Sequence, residues 1–191
     1  MDASNEPKLA PPGAGLPKPE LYIARVLFAI NRWRGDRDTF NARFNEERAI
    51  IRRLVRSCAG DSGGRRVLIQ RPRGLEDSSR YWSVWMALEH LRIVHNSITR
   101  VIGALTKGAV PPGMASTAAV KPNAQVDASV VGEYEKSCDT LMATVAASDN
   151  LKTKARYAHP WFGPLNAAGW HALAAGHLKI HRVQIERILG K

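Results

Sequence analysis

The stretch Val84-Trp-Met-Ala-Leu-Glu-His-Leu-Arg-Ile-Val-His-Asn-Ser-Ile-Thr-Arg-Val-Ile-Gly-Ala-Leu-Thr-Lys107 decides the fold. Val84, Leu88, Leu91, His95, Ile98, Ile102 and Leu105 recur at alternating steps of four and three. On a helix that spacing makes one continuous seam, the pattern of a helix packed in a bundle. A second stripe, Ala87, His90, Val94, Ser97 and Val101, runs beside it, and its small residues leave room next to an imidazole. The helix has Ser78 or Ser79 available as its N-cap and is expected to run to about Lys107.

Upstream, Arg37 to Cys58 reads as a long helix with the inward stripe Phe40, Phe44, Glu47, Ile51, Leu54/Val55 and Cys58. Glu47 is its one polar member, a boundary residue or a pocket carboxylate. Gly60–Gly64 ends this helix, and Val67–Gln70 reads as a short extended run before Pro72. Leu21 to Trp33 forms a shorter amphipathic helix with Leu21, Val26, Leu27, Ile30 and Trp33 on one side. Residues 1–19 carry five prolines and two glycines and read as a flexible arm. The remainder, 20–191, is one domain.

Downstream, residues 108–126 are rich in Gly, Pro, Ala and Ser and too long for a tight turn. They predict a crossover that brings the next helix in parallel to its predecessor. Asp127 is expected to start that helix, with Val130/Val131, Tyr134, Cys138, Leu141/Met142 and Val145 inward. Asn166 can cap the last helix, whose inward set is Trp170, Leu173/Ala174, His177, His181, Gln184 and Ile188. The expected fold is all-α: a four-helix bundle with a long crossover between its second and third helices, plus an extra N-terminal helix.

The formal charge is +11, and thirteen arginines face five acids between Arg25 and Arg73. A phosphate-binding surface has such a balance, and so does a solvated helix face. Arg43, Arg48, Arg52, Arg53 and Arg56 fall mostly opposite their helix's apolar stripe, and no nucleic-acid motif accompanies them, so nucleic acid is not the expected partner. No apolar run reaches the length of a membrane span, and no membrane association is expected. The N-terminus lacks a basic-then-apolar leader, and Cys58 and Cys138 sit in apolar stripes as reduced thiols. A cytoplasmic protein is the expectation.

His177 and His181 are four residues apart on the inward stripe of the last helix, so they stack on one face and can grip one metal ion. Two histidines in an apolar stripe are costly to bury unless something shared engages them. A third ligand can come from His90 or from His95, which point about 140° apart on their helix and cannot serve one ion together. The residues alone do not choose between them. Three neutral imidazoles suit zinc or nickel first, with iron or manganese also possible, and leave open positions for water or substrate. His159 precedes Pro160 at the expected pocket rim, with Trp161 and Phe162. Gln184, three residues beyond His181, is expected at the pocket or behind the metal ligand. His171 lies off the His177/His181 face and is expected to pack or face solvent.

Three blocks carry a family resemblance: Tyr81-Trp-Ser-Val-Trp-Met-Ala-Leu-Glu-His-Leu91, His159-Pro-Trp-Phe-Gly-Pro-Leu165, and His177-Leu-Lys-Ile-His-Arg-Val-Gln-Ile185. Over roughly residues 37–190 the chain resembles the DinB-like (DinB/YfiT) superfamily of metal-dependent enzymes. The resemblance implies an up-down-down-up bundle whose metal triad takes one histidine from the second bundle helix and an HxxxH pair from the fourth. Here those are His90, His177 and His181, so it is the resemblance that favours His90 over His95. It further implies a hydrolase or thiol S-transferase acting on a small-molecule substrate, with a low-molecular-weight thiol as one candidate, and commonly a homodimer. The alternative is a non-catalytic binding or scaffold bundle that keeps a metal-free histidine cluster in its core.

Overall fold

The computed structural model describes residues 6–58 and 62–191; residues 1–5 of the arm and 59–61 of the Gly60–Gly64 break lie outside the described residues. Four helices form the bundle: α2 (Arg37–Arg56), α3 (Val84–Thr106), α4 (Val130–Ala146) and α5 (Ala167–Ile188), preceded by α1 (Lys18–Arg34). Side-chain pairs fix their directions. Arg92 meets Glu133 and His95 meets Ser137, so α3 and α4 run parallel. Phe40 packs on His171 and Glu47 pairs with Arg182, so α2 and α5 are parallel too. Arg37 reaches the Ser148 carbonyl while Arg48 pairs with Asp139, which makes α2 and α4 antiparallel. The order is therefore up-down-down-up, and the parallel α3–α4 pair is what the long crossover makes possible.

Phe44, Ile51, Leu88, Leu91, Ile98, Ile102, Leu141, Leu178 and Ile185 are fully buried between these helices. The seam read from the sequence is the core stripe of α3. Its flanking stripe is buried at Ala87, His90 and Val101 and half-buried at Val94 and Ser97, because α3 packs on both α4 and α5.

Helix starts differ from expectation at two places. Ser83, not Ser78 or Ser79, caps α3 by accepting from the Met86 amide at 3.1 Å. Residues 77–79 instead form a 3₁₀ turn, and β2 (Tyr81–Trp82) pairs antiparallel with β1 (Val67–Leu68) before the helix begins. Helix α4 begins at Val130. Asp127 lies in the turn ahead of it and accepts from the Ser129 amide at 2.8 Å. Asn166 caps α5 as expected, accepting from the Gly169 amide at 2.9 Å. A hairpin, β3 (Tyr157–His159) with β4 (Gly163–Leu165), precedes it; Gly163, with φ of +67°, makes the left-handed turn.

Helix α1 departs most from its sequence reading. Its inner face is Ala24 and Phe28, with Phe28 against Phe162 at 4.4 Å between ring centres. Tyr22, Ile23, Val26, Leu27, Ile30 and Trp33 face outward, Trp33 being 84% exposed. The residues read as its apolar side are thus mostly its solvent side. The arm residues 6–17 lie along the molecule: the Ala10 amide donates to Asp77, the Gly13 amide donates to Glu76, and Leu16 is buried.

Much of the basic surface is neutralised locally. Arg48 and Arg52 converge on Glu135, and Arg71 pairs with Glu20. Cys58 and Cys138 are both free thiols, Cys138 buried and Cys58 half-buried. No described helix is long and apolar enough to cross a membrane.

Candidate metal centre

His90 stands in the second turn of α3, and His177 and His181 stand one turn apart on the facing side of α5. The His177 Nε2 lies 3.1 Å from His90 Nε2 and 3.1 Å from His181 Nε2. His90 and His181 are buried and His177 is half-buried.

The outer nitrogens set the tautomers. His90 Nδ1 lies 2.7 Å from the Val120 carbonyl, which can only accept, so Nδ1 holds the proton. His181 Nδ1 lies 2.6 Å from Gln184 Oε1 and donates likewise. Both Nε2 atoms therefore carry bare lone pairs aimed at the same point as the third imidazole. A single N–H on His177 cannot fully satisfy two such acceptors, whereas one cation accepts all three lone pairs.

The spacing fits as well. Two nitrogens each about 2.0–2.1 Å from one zinc ion sit about 2.8–3.4 Å apart at coordination angles of about 90–109°. The three ligand atoms all fall within 4.8 Å of one another. Burial holds all three rings in the neutral, ligating form. It lowers the His90 pKa to about 4, and it takes His177 and His181 well below the usual histidine range, with repulsion between the neighbouring rings adding to the effect.

Two neighbours complete the centre without having been singled out as site residues from the sequence. Trp82 of β2 lies parallel to His181, 6.2 Å between ring centres at 8°, and tilted on His90 at 5.3 Å. Lys121, at the end of the crossover, holds its Nζ 5.1 Å over the Trp82 ring and donates to Ser78 and Ser79 at 2.7 and 2.9 Å. Its pKa is lowered, chiefly by burial, against the pull of Glu76 at 3.4 Å. Lys121 sits in an aperiodic segment and Val120 contributes only a carbonyl, so neither has a pattern to betray it.

His159, Trp161 and Phe162 line the cavity beside the three histidines. His159 Nδ1 accepts from the Trp161 amide at 3.2 Å, and its ring stacks on Phe162 at 5.1 Å. Burial lowers its pKa to about 4. Gln184 does not line this cavity. It is fully buried behind His181, and its Nε2 donates to the Ser79 carbonyl at 2.7 Å, so it fixes the His181 ring from behind and does not reach the cavity.

His95 stays outside the triad. It is fully buried, 5.3 Å from the Phe44 ring centre, with Nδ1 3.3 Å from Ser137 Oγ and 3.6 Å from Cys138 Sγ. His171 is buried against the edge of Phe40 and does not face solvent. Glu47 pairs with Arg182 at 2.7 Å between α2 and α5, away from the cavity.

No family model and no curated protein matches the chain. Among solved structures, it is similar to one described as TT2238, a four-helix bundle protein. The match has a TM-score of 0.56 and 22% sequence identity over 78% of this chain and 96% of that one. That likeness establishes the four-helix bundle fold.

Proposed function

We propose that the protein is a metal-dependent enzyme of the DinB-like type, in which His90, His177 and His181 hold a divalent ion, zinc or nickel in preference to iron or manganese. The observation that carries this reading is the convergence of three Nε2 atoms, two of them stripped of protons by the Val120 and Gln184 contacts. Such an ion supplies a Lewis acid that lowers the pKa of a water or thiol and polarises an acceptor. A three-protein-ligand site leaves room for a reactant, which favours a hydrolase or a thiol S-transferase over a structural role.

The chain's own residues supply the rest. Trp82 and Gln184 keep the imidazoles in place, and Phe162 and Trp161 shield the approach from water. The Lys121 ammonium stands beside the triad, where it can balance negative charge that develops on a substrate. A cytoplasmic homodimer is the working form in this proposal; fractionation and sedimentation velocity test its two parts.

The decisive experiment is metal analysis of untagged, chelator-free protein after loading with Zn²⁺, Ni²⁺ and Mn²⁺. One ion per chain is expected for the wild type and a small fraction of that for His177→Ala. Equal, negligible loading of both would end the proposal and leave the metal-free scaffold reading.

A further inference from the structure

The cavity that opens onto the triad is far larger than a water or a small thiol needs. It measures about 840 Å³, a volume that holds a drug-sized molecule. His90 is the first residue of α3 to line it and Ala104 the last. The fourteen residue steps from one to the other rise about 21 Å along the helix, so the cavity is elongated. Its walls are apolar: Val94, Ile98 and Val101 on α3, Leu173 on α5, Phe28 on α1 and Phe162 on the hairpin.

Charge is scarce inside. Among the described residues, three charged side chains line the cavity, and two of them, Glu76 and Lys121, pair with each other at 3.4 Å. The third, Arg100, is exposed. Water in such a space finds few partners, and an apolar occupant gains by displacing it.

We infer that the substrate is an elongated, largely apolar molecule of the alkyl or acyl class, with its polar reacting group at the histidines and its chain running along α3 toward Ala104. The position of the reacting group rests on the metal-centre reading; the class of the chain rests on the cavity alone. Gly176, next to His177, also lines the cavity, and a Cβ there would meet nothing within 4 Å. A side chain can therefore start from Gly176, which is exposed at the cavity wall, with its Cβ clear of the surrounding atoms.

The test is a series of alkyl hydroxamates, from acetohydroxamate to decanohydroxamate, titrated by calorimetry into the zinc-loaded full chain. Affinity is expected to rise about three- to fourfold per methylene. In Ala104→Trp the gain for the longest members drops at least tenfold while acetohydroxamate binds as in wild type. Gly176→Leu, which narrows the cavity beside His177, serves should the tryptophan variant fail to fold; with it decanohydroxamate is expected to bind at least tenfold more weakly than to wild type.

A parallel arm uses metal-free protein and the neutral fluorophore N-phenyl-1-naphthylamine, displaced by decanol. Binding that Ala104→Trp or Gly176→Leu weakens at least tenfold supports the inference. If zinc loads but affinity is flat with chain length, the inference is overturned and the metal centre stands. If zinc fails to load while the fluorophore binds and the variants weaken it, the metal reading falls and the apolar class stands. Failure of the fluorophore to bind together with a flat series overturns the inference outright.

Discussion

His90 and His95 lie five residues apart on α3, both buried, both with pKa lowered by burial, to about 4 and about 3. Only one joins a cluster of imidazoles that could hold an ion. His90 has its outer nitrogen fixed by a carbonyl and its inner nitrogen turned to two other imidazoles at the edge of a cavity. His95 is enclosed by Phe44, Tyr134, Ser137 and Cys138, and its Nε2 has no partner among the described residues. Burial and a shifted pKa are therefore common to a structural and a candidate ligating histidine. What separates them is convergence of lone pairs on a reachable point.

The largest effect that tests this contrast is on metal affinity. Replacing His90 or His181 by Ala should weaken zinc binding by more than about 100-fold in equilibrium dialysis, while His95→Gln keeps wild-type stoichiometry. Loss of zinc in His95→Gln with retention in His90→Ala would reverse the assignment. A smaller effect belongs to Gln184, which holds His181 from behind. Gln184→Ala should weaken zinc binding by about 10–100-fold, with no change in the number of ions bound at saturation.

The smallest effect is on stability against acid. His95 accepts a proton only near pH 3 when folded but near the ordinary value of about 6.5 when unfolded. Between those values the unfolded chain binds the extra proton, so stability falls as the pH is lowered through this window. Each such histidine contributes at most about 1.4 kcal/mol per pH unit. In metal-free protein, His95→Leu should reduce the slope of stability against pH between about 6 and 4, measured by urea titration. An unchanged slope would show that His95 is not neutral in the fold.

The fold was legible because α3 keeps one seam through three heptads, and because the proline-rich length of 108–126 permits a parallel neighbour. His177 and His181 were legible for the same reason: spacing and an inward stripe. The choice of His90 was not, since α3 packs on two helices and both His90 and His95 are buried. The family resemblance favours it, and the contacts bring it against His177 and His181. Ser83 was missed as the cap because a two-residue strand leaves no periodic trace. Helix α1 misled because amphipathic spacing shows that a helix has two sides without showing which one is covered. Trp82 was quoted only as part of a motif, and Lys121 and the Val120 carbonyl reach the triad through tertiary placement alone.

The crossover has a consequence for folding as well as for topology. His90 and His177 lie on either side of it, 87 positions apart, so the three histidines meet only once the two halves of the chain have docked. An ion bound there favours the docked state over every partly assembled one. At a hundred times its dissociation constant it adds about 2.7 kcal/mol to the stability of the whole. Metal supply would then govern how much of the chain is folded, whatever chemistry the centre carries out.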